Sequence, residues 1–302
     1  MNRLFALSLG SLLVGLASYA EAQEVWVARY FDSSVSRLNR TTGATLGTFS
    51  ITTPLGMAFG PGGRIYATAE TTNQIRRYKP DGTFDGIFAS TNLDSPTAIT
   101  FDASGNAFVA NFNNSTIVKF NSAGVYQSTI VASGTGGLNG PDIGMRIGPD
   151  GKLYVPSYYS NKVMRFDPST GAYLGDFVTG IVKPREILWR GGEMLVVEEG
   201  QNRVQRYNAT TGALLGSLIP SGSGGLNGAS GMALVGSSLL VTSWRNGSIL
   251  KYDATTGAYQ GVFASGLGSP VSIFVTPEPA SMIGLSAGVG ALIVRAKRRK
   301  SE

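Results

Sequence analysis

Short apolar runs separated by turn residues recur along this chain at intervals of 40 to 46 residues. Each repeat holds a large residue inside a β-like run, then two apolar residues spaced three apart, then a turn that ends in glycine. The large residues stand at Trp26, Tyr66, Phe108, Tyr154, Leu195 and Leu240. Runs of this length, bounded by glycine and aspartate, predict four short β-strands per repeat.

Four strands in a repeat of this length indicate one blade of a β-propeller. We name the strands A to D from the central channel to the outer rim. The A strands are predicted at PLGMAF (54–59), PTAITF (96–101), PDIGMRI (141–147), PREILW (184–189), ASGMAL (229–234) and PVSIFV (270–275). The chain begins with strands B, C and D of one blade and ends on a lone A strand, so pairing the two ends closes the ring. The sequence therefore predicts an all-β fold, a six-bladed β-propeller, over residues 23–276.

One repeat reads GMAFGPGGRIYATAETTNQIRRYKPDGTFDGIF, and it resembles an NHL-type propeller repeat. The chain is also similar to the broader superfamily of lactonase, SMP-30/gluconolactonase, strictosidine synthase and virginiamycin B lyase propellers. That superfamily contains both enzymes and binding platforms. The resemblance therefore implies the fold and leaves the activity open.

The amino-terminal segment, residues 1–22, has the pattern of a secretory signal peptide. A basic residue, Arg3, precedes an apolar run, and Ala20-Glu21-Ala22 matches the small-x-small cleavage pattern. We expect cleavage after Ala22 and export of the chain. The alternative is a buried amino-terminal helix.

A second apolar segment, Ser281 to Val294, lies near the carboxyl end and is followed by five basic residues. It is shorter than the roughly 20 residues that cross a bilayer comfortably. Counted from Pro279, it predicts a short transmembrane helix with its basic end in the cytoplasm and the propeller outside. One interpretation is a permanent single-pass anchor.

The order of features in residues 277–302 favours a sorting label. Pro277, Glu278 and Pro279 precede the apolar segment and the basic tail. This order resembles the PEP-CTERM signal of Gram-negative bacteria that make extracellular polysaccharide, although Thr276 stands where that family usually has valine. The resemblance implies recognition and cleavage by an exosortase-type protease. The chain would then be an intermediate anchored in the inner membrane before it reaches the cell surface or the extracellular space.

Composition excludes several kinds of chemistry. The chain has no cysteine and no histidine, which rules out disulfides, zinc-thiolate sites and Ser-His-Asp triads. The net charge is +6, but five positive charges lie in the last eight residues. Residues 23–276 hold 19 basic and 16 acidic side chains, a balance that gives no support to nucleic-acid binding.

The propeller topology places the B–C and D–A loops on one face, and those loops carry the aromatic and amide side chains. Flat aromatic rings with amides and charges suit a polysaccharide or protein ligand. The residues predicted to form the ligand-binding face are Tyr158, Tyr159, Asn161, Asn202, Trp244 and Arg245. For the asparagines, the alternative is a role in the turn, because Asn readily adopts a left-handed conformation there.

Acidic residues on the same face suggest a second hypothesis. Glu70, Asp142, Glu186 and Glu198 could supply the oxygen ligands that a divalent cation such as Ca²⁺ prefers. The function would then be a metal-dependent lactonase- or lyase-like hydrolysis, as the SMP-30 resemblance implies. Ordinary salt pairing with Lys183, Arg185 and Arg245 is the alternative account. The sequence identifies no catalytic base, and the first hypothesis remains a non-catalytic binding platform.

Overall fold

The computed structural model describes residues 24–276, and the signal-peptide and sorting-tail predictions lie outside this range. Its strands are β1 (Glu24–Arg29), β2 (Ser34–Asn39), β3 (Thr45–Ser50), β4 (Pro54–Gly60), β5 (Arg64–Ala69), β6 (Gln74–Tyr78), β7 (Phe84–Ala89), β8 (Pro96–Phe101), β9 (Ala107–Asn111), β10 (Thr116–Phe120), β11 (Tyr126–Val131), β12 (Arg146–Ile147), β13 (Leu153–Ser157), β14 (Lys162–Phe166), β15 (Tyr173–Val178), β16 (Pro184–Arg190), β17 (Glu193–Glu198), β18 (Arg203–Asn208), β19 (Leu214–Ile219), β20 (Ala229–Val235), β21 (Ser238–Ser243), β22 (Ser248–Asp253), β23 (Tyr259–Ala264) and β24 (Pro270–Val275). Single 3₁₀ turns occupy Pro61–Gly63, Thr135–Gly137, Glu199–Gln201, Ser223–Gly225 and Trp244–Asn246.

The described strands form six antiparallel sheets of four strands each, which confirms the six-bladed propeller. Five sheets use consecutive strands: β4 to β7, β8 to β11, β12 to β15, β16 to β19 and β20 to β23. The sixth has the order β24-β1-β2-β3, so the last strand pairs with the first as predicted. Thr276 and Glu24 extend this closure, because each backbone N–H donates to the other residue at 2.9 Å.

Each core cluster lies between two neighbouring blades rather than within one sheet. Trp26 of β1 packs in a cluster with Ile65 of the next blade, and Leu240 of β21 packs with Val25 and Val27 of β1. The recurring large residue of strand B is buried in every blade. Burying a large aromatic side chain removes about 150–250 Å² of surface from water, which stabilises the contact between blades.

The fourth blade departs from the prediction, because its A strand β12 has only two paired residues. Residues 142–145 instead form a turn in which the Met145 N–H donates to the Asp142 carbonyl at 3.1 Å. The Gly144 N–H donates to the Arg185 carbonyl at 2.9 Å, on the neighbouring A strand. Asp142 therefore begins a turn in this blade instead of lying in a paired A strand.

The C–D turns repeat one design on the other face of the ring. The side chains of Asn208 and Asp253 occupy equivalent positions, and each accepts two backbone N–H bonds of about the same length from its own turn. Each turn closes on a glycine with a left-handed backbone, such as Gly257 with φ +73°. A Cβ atom there would lie 1.7 Å from the carbonyl oxygen of Leu218 in the preceding blade. The turn therefore requires glycine for its conformation and for its contact between blades.

Within residues 24–276, no helix is long and apolar enough to cross a membrane. The predicted transmembrane helix falls in the part of the chain that the structure does not describe.

Candidate functional site

The B–C and D–A loops meet at one end of the ring, as the topology predicts, and surround a hollow that we call the mouth. The mouth has a volume of about 240 Å³. Its lining residues are Tyr30, Phe31, Leu55, Glu70, Thr97, Phe112, Asp142, Tyr158, Tyr159, Arg185, Trp244 and Val271. Aromatic side chains form its sides, and a few charged side chains lie among them.

One side of the mouth, the first wall, consists of Phe112, Tyr158 and Tyr159. Their ring centroids are separated by 5.1 Å between the two tyrosines, 5.4 Å between Phe112 and Tyr159, and 6.1 Å between Phe112 and Tyr158. Tyr159 is 57% exposed, so much of its side chain is available to a ligand. The three residues come from the B–C loops of two adjacent blades, which the contact between the rings holds together.

The second wall consists of Tyr30 and Phe31, from the blade that closes the ring, and Trp244, from the adjacent blade β20 to β23. The Tyr30 and Phe31 rings meet edge to face at 5.0 Å, and Phe31 lies 6.4 Å from Trp244. Phe31 is 74% exposed, although it is a large apolar residue. An exposed aromatic beside a hollow is typical of a binding surface.

Between the walls lies an ionic cluster built on Arg185. Its guanidinium donates to Asp142 at 3.0 Å and to Glu199 at 3.4 Å. Both carboxylates are buried, and Asp142 also accepts the Ile143 N–H at 2.7 Å. Desolvation alone would disfavour the charge on Arg185, but Asp142 and Glu199 raise its pKa above the ordinary value. The arginine therefore stays charged and its charge is already compensated.

Glu199 connects the two walls. Its carboxylate accepts hydrogen bonds from the Tyr158 hydroxyl at 3.0 Å, in the first wall, and from the Trp244 indole N–H at 3.2 Å, in the second. Burial, reinforced by Glu199, raises the pKa of Tyr158, so the phenol remains a donor. The separation of the walls thus depends on one buried carboxylate.

Glu70 lies at the side of the mouth and is held separately. It accepts hydrogen bonds from the Tyr30 hydroxyl and from the Ser95 hydroxyl, the latter at 2.6 Å. Burial, together with Glu70, raises the pKa of Tyr30. Both partners of Glu70 are neutral, so its negative charge lacks a counter-ion among these hydrogen bonds.

The structure does not bring the four predicted metal ligands together. Glu70 and Asp142 line the mouth, whereas Glu186 pairs with Arg146 at 2.8 Å and Glu198 pairs with Arg203 and accepts the Val182 N–H at 2.8 Å. Within residues 24–276, no group of three or more acidic side chains is placed to hold a metal ion. Of the four carboxylates, Asp142 pairs with Arg185, as the salt-pairing alternative expects; Glu186 and Glu198 pair with other arginines, and Glu70 is held by two hydroxyl groups.

The predicted ligand-binding face divides into two groups. Tyr158, Tyr159 and Trp244 line the mouth. Asn161 and Asn202 have left-handed backbones, and their side chains accept the backbone N–H groups of Lys183 at 2.9 Å and Gly228 at 2.6 Å. The turn alternative therefore accounts for both asparagines, which join a B–C loop to the following D–A loop.

Arg245 lines an adjoining hollow, which we call the outer hollow. Its volume is about 340 Å³, and its lining residues are Phe31, Asp32, Trp244, Arg245, Gly268 and Ser269. The guanidinium lies 4.8 Å from the Trp244 ring and 3.5 Å from Glu199. Phe31 and Trp244 therefore form a ridge between the two hollows.

Sequence reasoning named Asp142 and Arg185 on this face but missed Leu55, Thr97 and Val271, which lie beside them at the channel end of the mouth. Leu55, Thr97, Asp142, Arg185 and Val271 all line it. Each is the residue that follows the proline at the start of its A strand phrase. That position is a signal the repeat alignment contained, because equivalent positions in a closed ring converge on its axis.

Comparison with known proteins establishes the fold. No family model and no curated protein matches the chain. A chain of the nidogen/laminin complex matches with a TM-score of 0.69 at 17% identity, over 84% of this chain and 98% of that one. A protein of unknown function from Bacteroides caccae matches with a TM-score of 0.65 at 15% identity, over 85% of this chain and 100% of that one.

Two lyase structures match as well. A streptogramin B lyase has a TM-score of 0.63 at 16% identity, over 85% of this chain and 87% of that one. A catalytically inactive His-to-Ala variant of virginiamycin B lyase from Staphylococcus aureus, with quinupristin, has a TM-score of 0.58 at 20% identity, over 74% of each chain. At these identities the likeness shows a shared propeller fold and does not transfer an activity.

Proposed function

We propose that this chain is an exported, non-catalytic binding platform whose mouth takes a polysaccharide or a similar ligand. The observation that carries the proposal is the pair of aromatic walls connected through Glu199. Exposed rings on either side of a hollow offer flat apolar faces to sugar rings. The carboxylates of the ionic cluster and Glu70 offer acceptors to hydroxyl groups.

Binding rather than catalysis is favoured by the state of the acidic groups. In the described mouth, Asp142 and Glu199 are engaged with Arg185, and Glu70 is hydrogen-bonded to Tyr30 and Ser95. The similar virginiamycin B lyase was inactivated by replacing a histidine, and this chain has no histidine. Histidine is the usual general base near neutral pH.

The proposal includes the sorting route inferred from the two ends of the chain. The signal peptide directs export, and the PEP-CTERM-like tail is recognised by an exosortase-type protease, with the membrane holding the chain only until cleavage. Thr276, which precedes the tail, lies at the end of β24 away from the mouth. Mass spectrometry of the mature protein tests this route: cleavage near Pro277-Glu278-Pro279 supports it, and an intact tail ending in Glu302 supports the permanent anchor.

The binding proposal is tested by calorimetric titration of the purified full-length chain with polysaccharides. Tyr159→Ala and Trp244→Ala should each weaken binding roughly tenfold or more, as truncation of a central aromatic does in binding sites. Phe84→Ala is the matched control, because Phe84 is an equally exposed aromatic, 53% exposed, on the rim strand β7. Unchanged binding by both mouth variants would contradict the proposal.

The alternative function is a metal-dependent lactonase- or lyase-like hydrolase. The fold shared with two lyases is the observation in its favour. This function requires a bound divalent cation. Thermal unfolding after chelation, with and without added Ca²⁺, Mg²⁺ or Mn²⁺, distinguishes the two. An ion present at 100 times its dissociation constant stabilises the folded protein by about 2.7 kcal/mol. A clear rise in the melting temperature with one ion would favour the enzyme, and an unchanged melting temperature would favour the binding platform.

A further inference from the structure

We propose that the ligand is a linear oligosaccharide of uncharged sugars. One ring occupies the mouth, and the chain continues across the Phe31–Trp244 ridge into the outer hollow. This inference rests on the proposed binding function and adds the charge and the length of its ligand.

The absence of charge on the ligand follows from the contacts inside the mouth. Arg185 is the cation between the walls, and it is already shared by Asp142 and Glu199. Glu70 adds a negative charge held by neutral donors. An anionic sugar would approach three carboxylates, and the arginine that lines the mouth is already paired with two of them, so like-charge repulsion disfavours it.

A cationic sugar is disfavoured for a different reason. The aromatic faces that would attract it already lie near cations of the chain itself. Lys183 Nζ lies 5.4 Å from the centre of the Tyr158 ring, and Arg185 lies 5.8 Å from the same ring. Arg245 lies 4.8 Å from the Trp244 ring. A neutral ring avoids both kinds of repulsion.

Hydroxyl groups fit the acceptors that remain. An ionised carboxylate has about four acceptor positions, and Glu70 uses two of them in hydrogen bonds to side chains. The Thr97 hydroxyl donates to the Pro141 carbonyl at 2.7 Å, which leaves its oxygen free to accept. The mouth thus presents acceptors between aromatic faces, and a sugar presents donors around an apolar ring.

The length of the ligand follows from the volumes of the two hollows and from the ridge that they share. At about 240 Å³ the mouth is smaller than the roughly 300–1,000 Å³ of sites for drug-sized ligands, so it suits a single ring. The outer hollow is about 340 Å³ and uses the same Phe31 and Trp244 side chains. A ligand of two or more units can therefore contact both faces of the ridge.

The loop that borders the outer hollow packs against Asp32. Residues 265–269 form a short D–A connection in which Gly268 has φ +63°. A Cβ atom at Gly268 would lie 1.9 Å from the Asp32 carboxylate, so the loop packs closely on Asp32. The Ser269 N–H donates to the same carboxylate at 3.2 Å. Gly268 and Ser269 therefore form a closely packed edge of the outer hollow.

The test is calorimetric titration of the full-length chain with sugars of one to six units. The neutral series are glucose, mannose, galactose and xylose oligomers, and the charged series are oligogalacturonates and chitosan oligomers. For at least one neutral series, affinity should rise about tenfold or more from one unit to two or three, and then level off. Charged series of equal length should bind at least about tenfold more weakly.

Two variants separate the subsites. Tyr159→Ala, in the mouth, should weaken binding of single sugars and oligomers alike. Arg245→Ala, in the outer hollow, should weaken oligomers by a larger factor than a single sugar, because Arg245 also contacts Trp244 and Glu199 beside the mouth. The matched control is Arg206→Ala, which removes a partly exposed arginine from β18 outside both hollows.

The outcomes distinguish the two proposals. Equal affinity for one unit and six, tighter binding of a charged series, or an Arg245→Ala effect independent of length would overturn this inference and leave the binding function standing. Binding by none of the series would overturn both.

Discussion

Replacement of Glu199 by glutamine should loosen the mouth and destabilise the propeller. Glutamine has nearly the same shape, so the change leaves no cavity. It removes the negative charge that pairs with Arg185 at 3.4 Å and Arg245 at 3.5 Å. It also places an amide N–H₂ group among donors, since Tyr158 and Trp244 both donate to this carboxylate.

The magnitude follows from those contacts. Removing one partner of a buried ion pair costs about 3–5 kcal/mol when the other charge is left unpaired. Arg185 keeps Asp142 as a partner, which lowers that cost. A lost hydrogen bond from a neutral donor adds about 0.5–1.5 kcal/mol. We expect Glu199→Gln to lower the free energy of unfolding by about 2–4 kcal/mol.

Urea unfolding followed by tryptophan fluorescence measures this change, and Glu193→Gln is its control. Glu193 begins the strand that Glu199 follows, on the opposite face of the ring, and pairs with Arg190 at 2.7 Å, both side chains being about a quarter exposed. Exposed pairs contribute about 0–1 kcal/mol and this pair is partly exposed, so Glu193→Gln should lose less stability than Glu199→Gln. Equal stability of the two variants would refute the role given to Glu199.

Two further predictions concern the C–D turns. Gly257→Ala should lower the free energy of unfolding by about 1–2 kcal/mol for its left-handed backbone and by a further 1–3 kcal/mol for the contact with the Leu218 carbonyl. Gly266 has φ +69° and open space around its Cβ, so Gly266→Ala should show only the backbone cost when both variants are unfolded in urea. Backbone N–H groups hold the pKa of Asp253 below its usual range, so its stabilising effect is present above about pH 4 and is lost as the pH falls through the lowered pKa. Asp253→Asn, which copies Asn208 in the equivalent turn, should match the stability of the parent at pH 7 and unfold less readily than the parent in acid. If the free energies of unfolding of the two proteins fall in parallel from pH 7 to pH 2, this prediction is contradicted.

The repeat made the fold predictable. Apolar alternation, turn glycines and a fixed spacing specify each blade locally, and the lone A strand at 270–275 specifies how the ring closes. The positions of the turn aspartates and asparagines were also predictable from the sequence, because these side chains form hydrogen bonds with residues only a few positions away in the chain. The aromatic residues of the mouth could be assigned to one face from topology alone.

Partner choice inside the mouth was not predictable. Glu199 and Arg185 were among many polar residues on the face. They meet within one blade, but their contacts with Trp244 and Asp142 join neighbouring blades, at distances that depend on how the blades pack. The predicted metal ligands Glu70, Asp142, Glu186 and Glu198 each have different donors. Asp142 and Glu186 pair with arginines of a neighbouring blade, whereas Glu198 pairs with Arg203 of its own blade.

The sequence by itself determined the number of blades, their strands and the closure of the ring, because these depend on local patterns that repeat. Only the tertiary structure decided which charges meet, how far apart the aromatic walls stand and that two hollows share one ridge. Those features arise where loops from different blades converge. Their geometry depends on contacts between residues far apart in the chain, which no local pattern records.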